Sequence, residues 1–195
     1  FAAIGFAAIG SAQLALAQDP ADPAPRVRSP MTIAERSNFL ATSREADVLE
    51  FFEKLTVGQS IAKLVPVGQT HEQRSLWSLV VSKEKTNPLP LAKDDPRIVI
   101  TMIGGIHSGE CDGKEALMAL ARDVVQGAKP AWLENAVLVF LPNFNADGNQ
   151  RVGPMHRPGQ EGPALGMGTR ENAFGQDLNR DFVKLDTQEV RSLVR

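Results

Sequence analysis

Apolar residues recur along this chain with two spacings. Val48, Phe51, Phe52 and Leu55 follow at three- and four-residue steps behind a Thr42…Glu45 capping-box pattern, which predicts a helix over 43–55. Two strand-like stretches, 62–67 and 76–82, lie on either side of a polar turn at 68–74. Residues 83–96 are charged and proline-bearing, hence a loop. The run 97–103 is short, β-branched and almost unbroken before Gly104-Gly105, the pattern of a strand buried on both faces. Over 115–125, Leu117, Leu120, Ala121 and Val124 share a helical face, and 136–141 reads as another buried strand. Pro142 and the turn Asn145-Ala146-Asp147-Gly148 close it. Residues 151–172 are rich in Gly and Pro without apolar periodicity, a long loop of the kind that usually carries function. Asp186 and Glu189 mark one more helix start.

Strand, helix and strand joined by glycine-rich junctions indicate an α/β fold, a mixed, largely parallel sheet flanked by helices. Ligands of such sheets gather beyond the carboxyl ends of the strands. His107 and Glu110 lie just past one such end, and the turn at 145–148 lies past another.

Composition changes this picture at the ends and in the choice of partner. At 195 residues the chain is long enough for one domain with a substantial core, and a net charge of -2 gives no electrostatic basis for binding nucleic acid or an acidic membrane. Residues 1–17 are small and apolar and end in Ala15-Leu16-Ala17, like the apolar region and cleavage site of a secretory signal. Gly5, Gly10, Ser11 and Gln13 interrupt that run, which argues against a transmembrane span. Four prolines within 18–30 read as an extended linker, so the folded region is expected to begin near Met31 in an exported, periplasmic or extracellular protein. Cys111 is the single cysteine, so no internal disulfide forms; it reads as a small packed residue at a helix start. Oligomeric state is not set by any of these features.

Two clusters carry candidate chemistry. The first is His107-Ser108-Gly109-Glu110. A histidine and a glutamate three apart can converge on one ion if the chain turns, as the flanking glycines permit. Zinc accepts both donors, and a His₂Glu set leaves its fourth place to water. Alone, this spacing serves equally for a capping glutamate beside a hydrogen-bonded loop histidine. The second cluster is Arg170, then Asp177-Leu178-Asn179-Arg180. Guanidinium groups match carboxylates bidentately, and a fixed cation near a developing oxyanion lowers a barrier. Individually Arg170, Asp177 and Arg180 also suit a surface salt-bridge network.

Taken in order, H-x-x-E, the Asn-x-Asp-Gly turn and Arg170 with Asp-Leu-Asn-Arg resemble the zinc carboxypeptidase family (the carboxypeptidase A type), and the second cluster resembles its regulatory branch. The resemblance implies zinc-dependent hydrolysis of peptide bonds at substrate C-termini, with one Zn2+ per catalytic domain. His107 and Glu110 would be zinc ligands, and Asp177 would orient His107. Arg170 would polarise the scissile carbonyl, while Asn179 and Arg180 hold the terminal carboxylate of a peptide or amide substrate. Related enzymes also include amidases acting on cell-wall peptides or acyl-amino acids, and a non-catalytic carboxylate-binding module would keep the same anion clamp. Asp181 departs from the Asn of many relatives and is expected to put an acid beside Arg180. The family's third ligand is a histidine after the Asn-Arg pair, with a general-base Glu and a mobile Tyr later. No histidine follows His156, and His71 and His156 read as ordinary loop residues. The resemblance therefore covers 31–195 as the first part of a catalytic domain, a fragment expected to be inactive by itself.

Overall fold

The computed structural model describes residues 29–84 and 89–194. The expected export signal, most of the linker, residues 85–88 and Arg195 lie outside the described residues. Four strands, β1 (Ala62–Gln69), β2 (Ser75–Val81), β3 (Ile98–Ile103) and β4 (Ala136–Leu141), form one sheet in the order β1-β2-β4-β3. Six α-helices accompany it among the described residues: α1 (Ile33–Arg36), α2 (Glu45–Thr56), α3 (Cys111–Val125), α4 (Trp132–Asn135), α5 (Ala146–Gln150) and α6 (Gln188–Leu193). β1–β2 and β2–β4 are antiparallel and β3–β4 is parallel. This is the mixed sheet with flanking helices that was expected, its parallel character confined to the pair that α3 connects.

The period of two in β2 and β4 divides the core. Leu79, Val81, Leu138 and Phe140 face one side, where Val48, Phe51, Phe52 and Leu55 of α2 meet Met118, Ala121, Val124 and Val125 of α3. Val80, Val137 and Val139 form a separate cluster with Val65, Leu89 and Leu91. All six residues of β4 are buried, as the pattern predicted for an inner strand. β3 is different. Expected to be buried on both faces, it is the edge strand, and Ile98, Val99 and Ile100 are exposed. Its apolar run has the pattern of a buried parallel strand, but only β4 pairs with it, and no described strand covers its other edge.

Helix starts also moved. Thr42 does not cap α2: its hydroxyl donates to Glu115 Oε1 at 2.8 Å, and Arg44 is the N-cap, its N–H donating to Asp47 Oδ2 at 2.8 Å. α3 begins at Cys111, four residues before the expected start, because buried Cys111 and Lys114 extend it beneath α2 and α5. Lys114 is buried, and its ammonium donates to Ser43 O and, at 2.9 Å, to Asn149 Oδ1. Burial pushes that group down from 10.5 to about 8, against the pull of Glu115. Between those values the unfolded chain keeps a proton that the folded chain has released, so rising pH favours the folded state. In thermal denaturation the wild type is expected to gain stability relative to Lys114→Met as pH rises from 8 to 10.5. A difference that stays constant over that range would exclude a lysine held this way.

Candidate active site

Because β3 and β4 run parallel, their carboxyl ends open at one edge of the sheet. The crossing is tied by backbone: Gly104 N donates to Leu141 O at 2.9 Å, and Asn145 N donates to Gly105 O at 2.9 Å. Gly105 takes a φ of 62°, a left-handed conformation that side-chain-bearing residues resist, and it turns the chain into His107. Glu110 N then donates to His107 O at 3.0 Å, closing a turn that brings Glu110 Oε1 within 3.0 Å of His107 Nδ1. Ser108 staples this turn to its surroundings, its hydroxyl donating to Asn145 O at 2.6 Å and its N–H to Thr169 O at 3.0 Å. His107 is buried while Glu110 is exposed.

Asp177 holds the far side of the ring. Its Oδ1 lies 2.8 Å from His107 Nε2 and accepts from Asn179 N at 2.9 Å. Its Oδ2 accepts from Arg170 Nε and Nη2 at 3.1 and 2.8 Å, and Arg170 Nη1 stands 3.4 Å from His107 Nδ1. Burial opposes the Asp177 charge, but the bonds from His107, Arg170 and the Asn179 N–H outweigh it and hold the carboxyl down at about 2.

Arg170 is delivered by Asn145, a residue seen in the sequence only as part of a turn. That turn is the start of α5, with Asn145 as its N-cap accepting from Gly148 N at 2.9 Å. The Asn145 amide donates to Arg170 O at 3.2 Å and Glu171 O at 3.1 Å, which pins the end of the long loop. Gly148 is required here, since a Cβ would lie 2.5 Å from Asn145 Nδ2 and 2.8 Å from Glu171 O. The loop itself carries one isolated bridge, Gly153 with Met167.

His107, Glu110, Arg170 and Asp177 are thus brought together. Asn179 and Arg180 sit one short turn beyond, in a 3₁₀ segment (Leu178–Arg180) anchored by buried Leu178, with both side chains exposed. Asp181 does not place a free acid beside Arg180. Its buried carboxylate accepts from Asp186 N and Thr187 N, both at 2.8 Å, and from the Thr187 hydroxyl at 2.6 Å. Thr187, and not Asp186, caps α6. The sequence reading missed Arg157, whose Nη2 donates to Glu110 Oε1 at 2.9 Å and whose stem crosses Gly109. No periodicity in the long loop marks it. His156 is exposed, with Nδ1 3.1 Å from Met167 O, and His71 packs edge-on against Phe174. Cys111 is buried at the first position of α3.

A catalytic zinc takes three protein ligands. His107 Nδ1 and Glu110 Oε1 are close enough to share one ion, and Asp177 fixes the other ring nitrogen as metal-binding histidines require. Among the described residues no group of three His, Cys, Asp or Glu side chains is gathered to hold a metal. His107 Nδ1 and Glu110 Oε1 are donors of the kinds that zinc accepts.

Residues 48–193 match the model of the zinc carboxypeptidases. The chain belongs to that family. Among curated proteins it is 28% identical to carboxypeptidase D of Mus musculus over 155 residues, 76% of this chain and 10% of that protein. It is 32% identical to carboxypeptidase E of Caenorhabditis elegans over 149 residues, 73% of this chain and 29% of that protein. Its fold is similar to a metallo-carboxypeptidase from Burkholderia cenocepacia, with a TM-score of 0.56 at 19% identity over 78% of this chain and 37% of that one. Bovine thrombin-activatable fibrinolysis inhibitor aligns with a TM-score of 0.55 at 14% identity over 80% of this chain and 56% of that one. This zinc carboxypeptidase chain therefore spans about a tenth to three-tenths of the curated relatives cited. No helix among the described residues is long and apolar enough to cross a membrane.

Proposed function

We propose that the protein hydrolyses peptide bonds at substrate C-termini with the help of zinc. The observation that carries this reading is the pair His107 Nδ1 and Glu110 Oε1, 3.0 Å apart, with Asp177 on the opposite ring nitrogen and Arg170 alongside. His107 and Glu110 would hold the metal together with a third ligand from a longer protein. Bound zinc supplies a Lewis acid that lowers the pKa of a coordinated water to about 7. Asp177 keeps the His107 ring oriented and its Nδ1 free to bind. Arg170, at the mouth of this pair, stabilises the negative charge that develops on the scissile carbonyl oxygen. Asn179 and Arg180, exposed on their short turn, take the substrate's terminal carboxylate. Residues 1–17 support export to the periplasm or beyond, where such substrates are met. With two donors, this chain by itself is expected to retain zinc weakly and to be inactive.

The deciding assay gives the zinc-supplied full-length protein two peptides that differ only in a free or amide-blocked C-terminus. Cleavage of the free peptide is expected, with Arg180→Ala raising KM about tenfold to a hundredfold, the value of a charge-assisted hydrogen bond. Equal cleavage of both peptides would remove the carboxylate role from Asn179 and Arg180 and favour an amidase. Binding of the free peptide without turnover would favour a carboxylate-binding module.

A further inference from the structure

The two arginines beside the ligand pair differ in what balances them. Arg170 has a carboxylate of its own, Asp177, at 2.8 Å. Arg157 has none apart from Glu110: among the described residues its single ion pair is Nη2 to Glu110 Oε1, at 2.9 Å. That oxygen is also the one that faces His107 Nδ1 at 3.0 Å. Arg157 is the firmer member of its pair. Its side chain is 16% exposed against 47% for Glu110, and its Nε donates to Gln160 Oε1 at 3.0 Å. Its stem crosses Gly109 so closely that a Cβ there would lie 2.5 Å from Cγ. Within 154–162 every residue but Arg157 is exposed, and Arg157 is the side chain through which this loop tip bonds to the ligand turn.

The base of the loop is fastened separately. Gly153 and Met167 pair across it, and Ser108 N donates to Thr169 O at 3.0 Å. Neither contact involves the Glu110 carboxylate. A cation that draws on Glu110 therefore acts on the tip through Arg157 and leaves the base in place. A guanidinium and a divalent ion on one carboxylate oxygen repel each other, at twice the strength of two unit charges equally far apart. Solvent screens this less than at an open surface, because the Arg157 side chain is largely buried. Arg157 also steadies the Glu110 stem, which favours a metal ion, but that gain is limited to the rotamers of one side chain. Repulsion is the larger effect.

We propose that Arg157 is a latch on the metal site. It neutralises Glu110 in the metal-free protein, and it and a metal ion weaken each other's hold on that carboxylate, so that metal entry releases Arg157 and the loop tip 154–162. This role rests on Glu110 being a metal ligand, as proposed above. Coupling of this kind is reciprocal. By whatever factor the Arg157 charge lowers metal affinity, a bound metal lowers the equilibrium constant for the Arg157–Glu110 contact.

Zinc affinity of the full-length protein is measured by competition with a chromophoric chelator for wild type, Arg157→Met, Arg157→Lys and Glu110→Gln. Arg157→Met keeps a stem over Gly109 without the charge. It is expected to bind zinc about tenfold more tightly, in the lower part of the range for coupled sites because Glu110 is half exposed. Arg157→Lys, which keeps the charge, should bind like wild type. Damage to the fold would lower affinity, so the direction of the change separates a latch from a structural prop. Cleavage after Glu161 by a glutamate-specific protease reads the tip independently of activity. Zinc should accelerate it in wild type, and Arg157→Met should be cut at the faster rate with or without zinc. The wild-type arm needs no variant, so it stands even where a substitution unfolds the protein. Glu110→Gln sorts the outcomes. Unchanged affinity in that variant overturns the ligand assignment, and the latch with it. Affinity lost in Glu110→Gln but not gained in Arg157→Met overturns the latch alone, as does a cleavage rate at Glu161 that zinc leaves unchanged.

Discussion

Asp147→Ala is expected to cost about 3–5 kcal/mol of folding stability, toward the lower end, read from urea denaturation. Its carboxylate is fully buried and joins α5 to the β1–β2 turn: Oδ1 accepts from the Thr70 hydroxyl at 2.6 Å and from Arg74 Nη1 at 2.7 Å, and Oδ2 accepts from Glu72 N at 3.1 Å. Removing it leaves the buried Thr70 hydroxyl without this acceptor, at the desolvation penalty of an unmade bond, and strips the less buried Glu72 N–H and Arg74 of theirs. Arg74 softens the loss, since it is partly exposed and also bonds Glu72. Asp147→Asn, which keeps an acceptor but no charge, is expected to cost less, about 1–3 kcal/mol. A cost below about 1 kcal/mol for the alanine variant would mean that the hairpin turn is not held through α5.

Asp177→Ala is expected to lower the zinc affinity of the full-length protein about 10–100-fold, measured by competition with a chromophoric chelator. His107 would lose the carboxylate on Nε2, and Arg170 would lose two bonds, leaving its guanidinium free to approach the same ring. A cation in that position competes with a metal ion for Nδ1, which it already approaches to 3.4 Å. Asp181→Ala removes another carboxylate from the same stretch, but one committed to Thr187 and the start of α6. It should destabilise the fold and leave zinc affinity unchanged. Equal affinities for wild type and Asp177→Ala would withdraw Asp177 from the orientation of His107.

Much of this arrangement was legible along the chain because it depends on short-range periodicity. Phe51, Phe52 and Leu55 announced α2, and the unbroken apolar run 136–141 announced a buried strand. The chemistry-bearing residues of H-x-x-E and Asp-Leu-Asn-Arg were likewise readable, since each cluster lies within one turn of chain. Cap residues were not: Thr42 and Asp186 fit local patterns, yet Thr42 bonds Glu115 across 73 residues, and Thr187 takes the cap that Asp186 was expected to provide. Burial of β3 was misread because an apolar run reports what a strand can pack against. Its place in the sheet order reports what it does pack against.

By itself, then, the sequence determined the element types, the α/β class, and which side chains belong to the two clusters, since these follow from spacing of a few residues. Only the tertiary structure decided how the clusters meet. Asn145 delivers Arg170, Asp177 reaches His107 across 70 residues, Arg157 takes Glu110, and Glu189 sits behind Asn172. Those partners are chosen by chain crossings at the end of a parallel strand pair, and side-chain hydrogen bonds between distant segments leave no periodic trace in the order of residues.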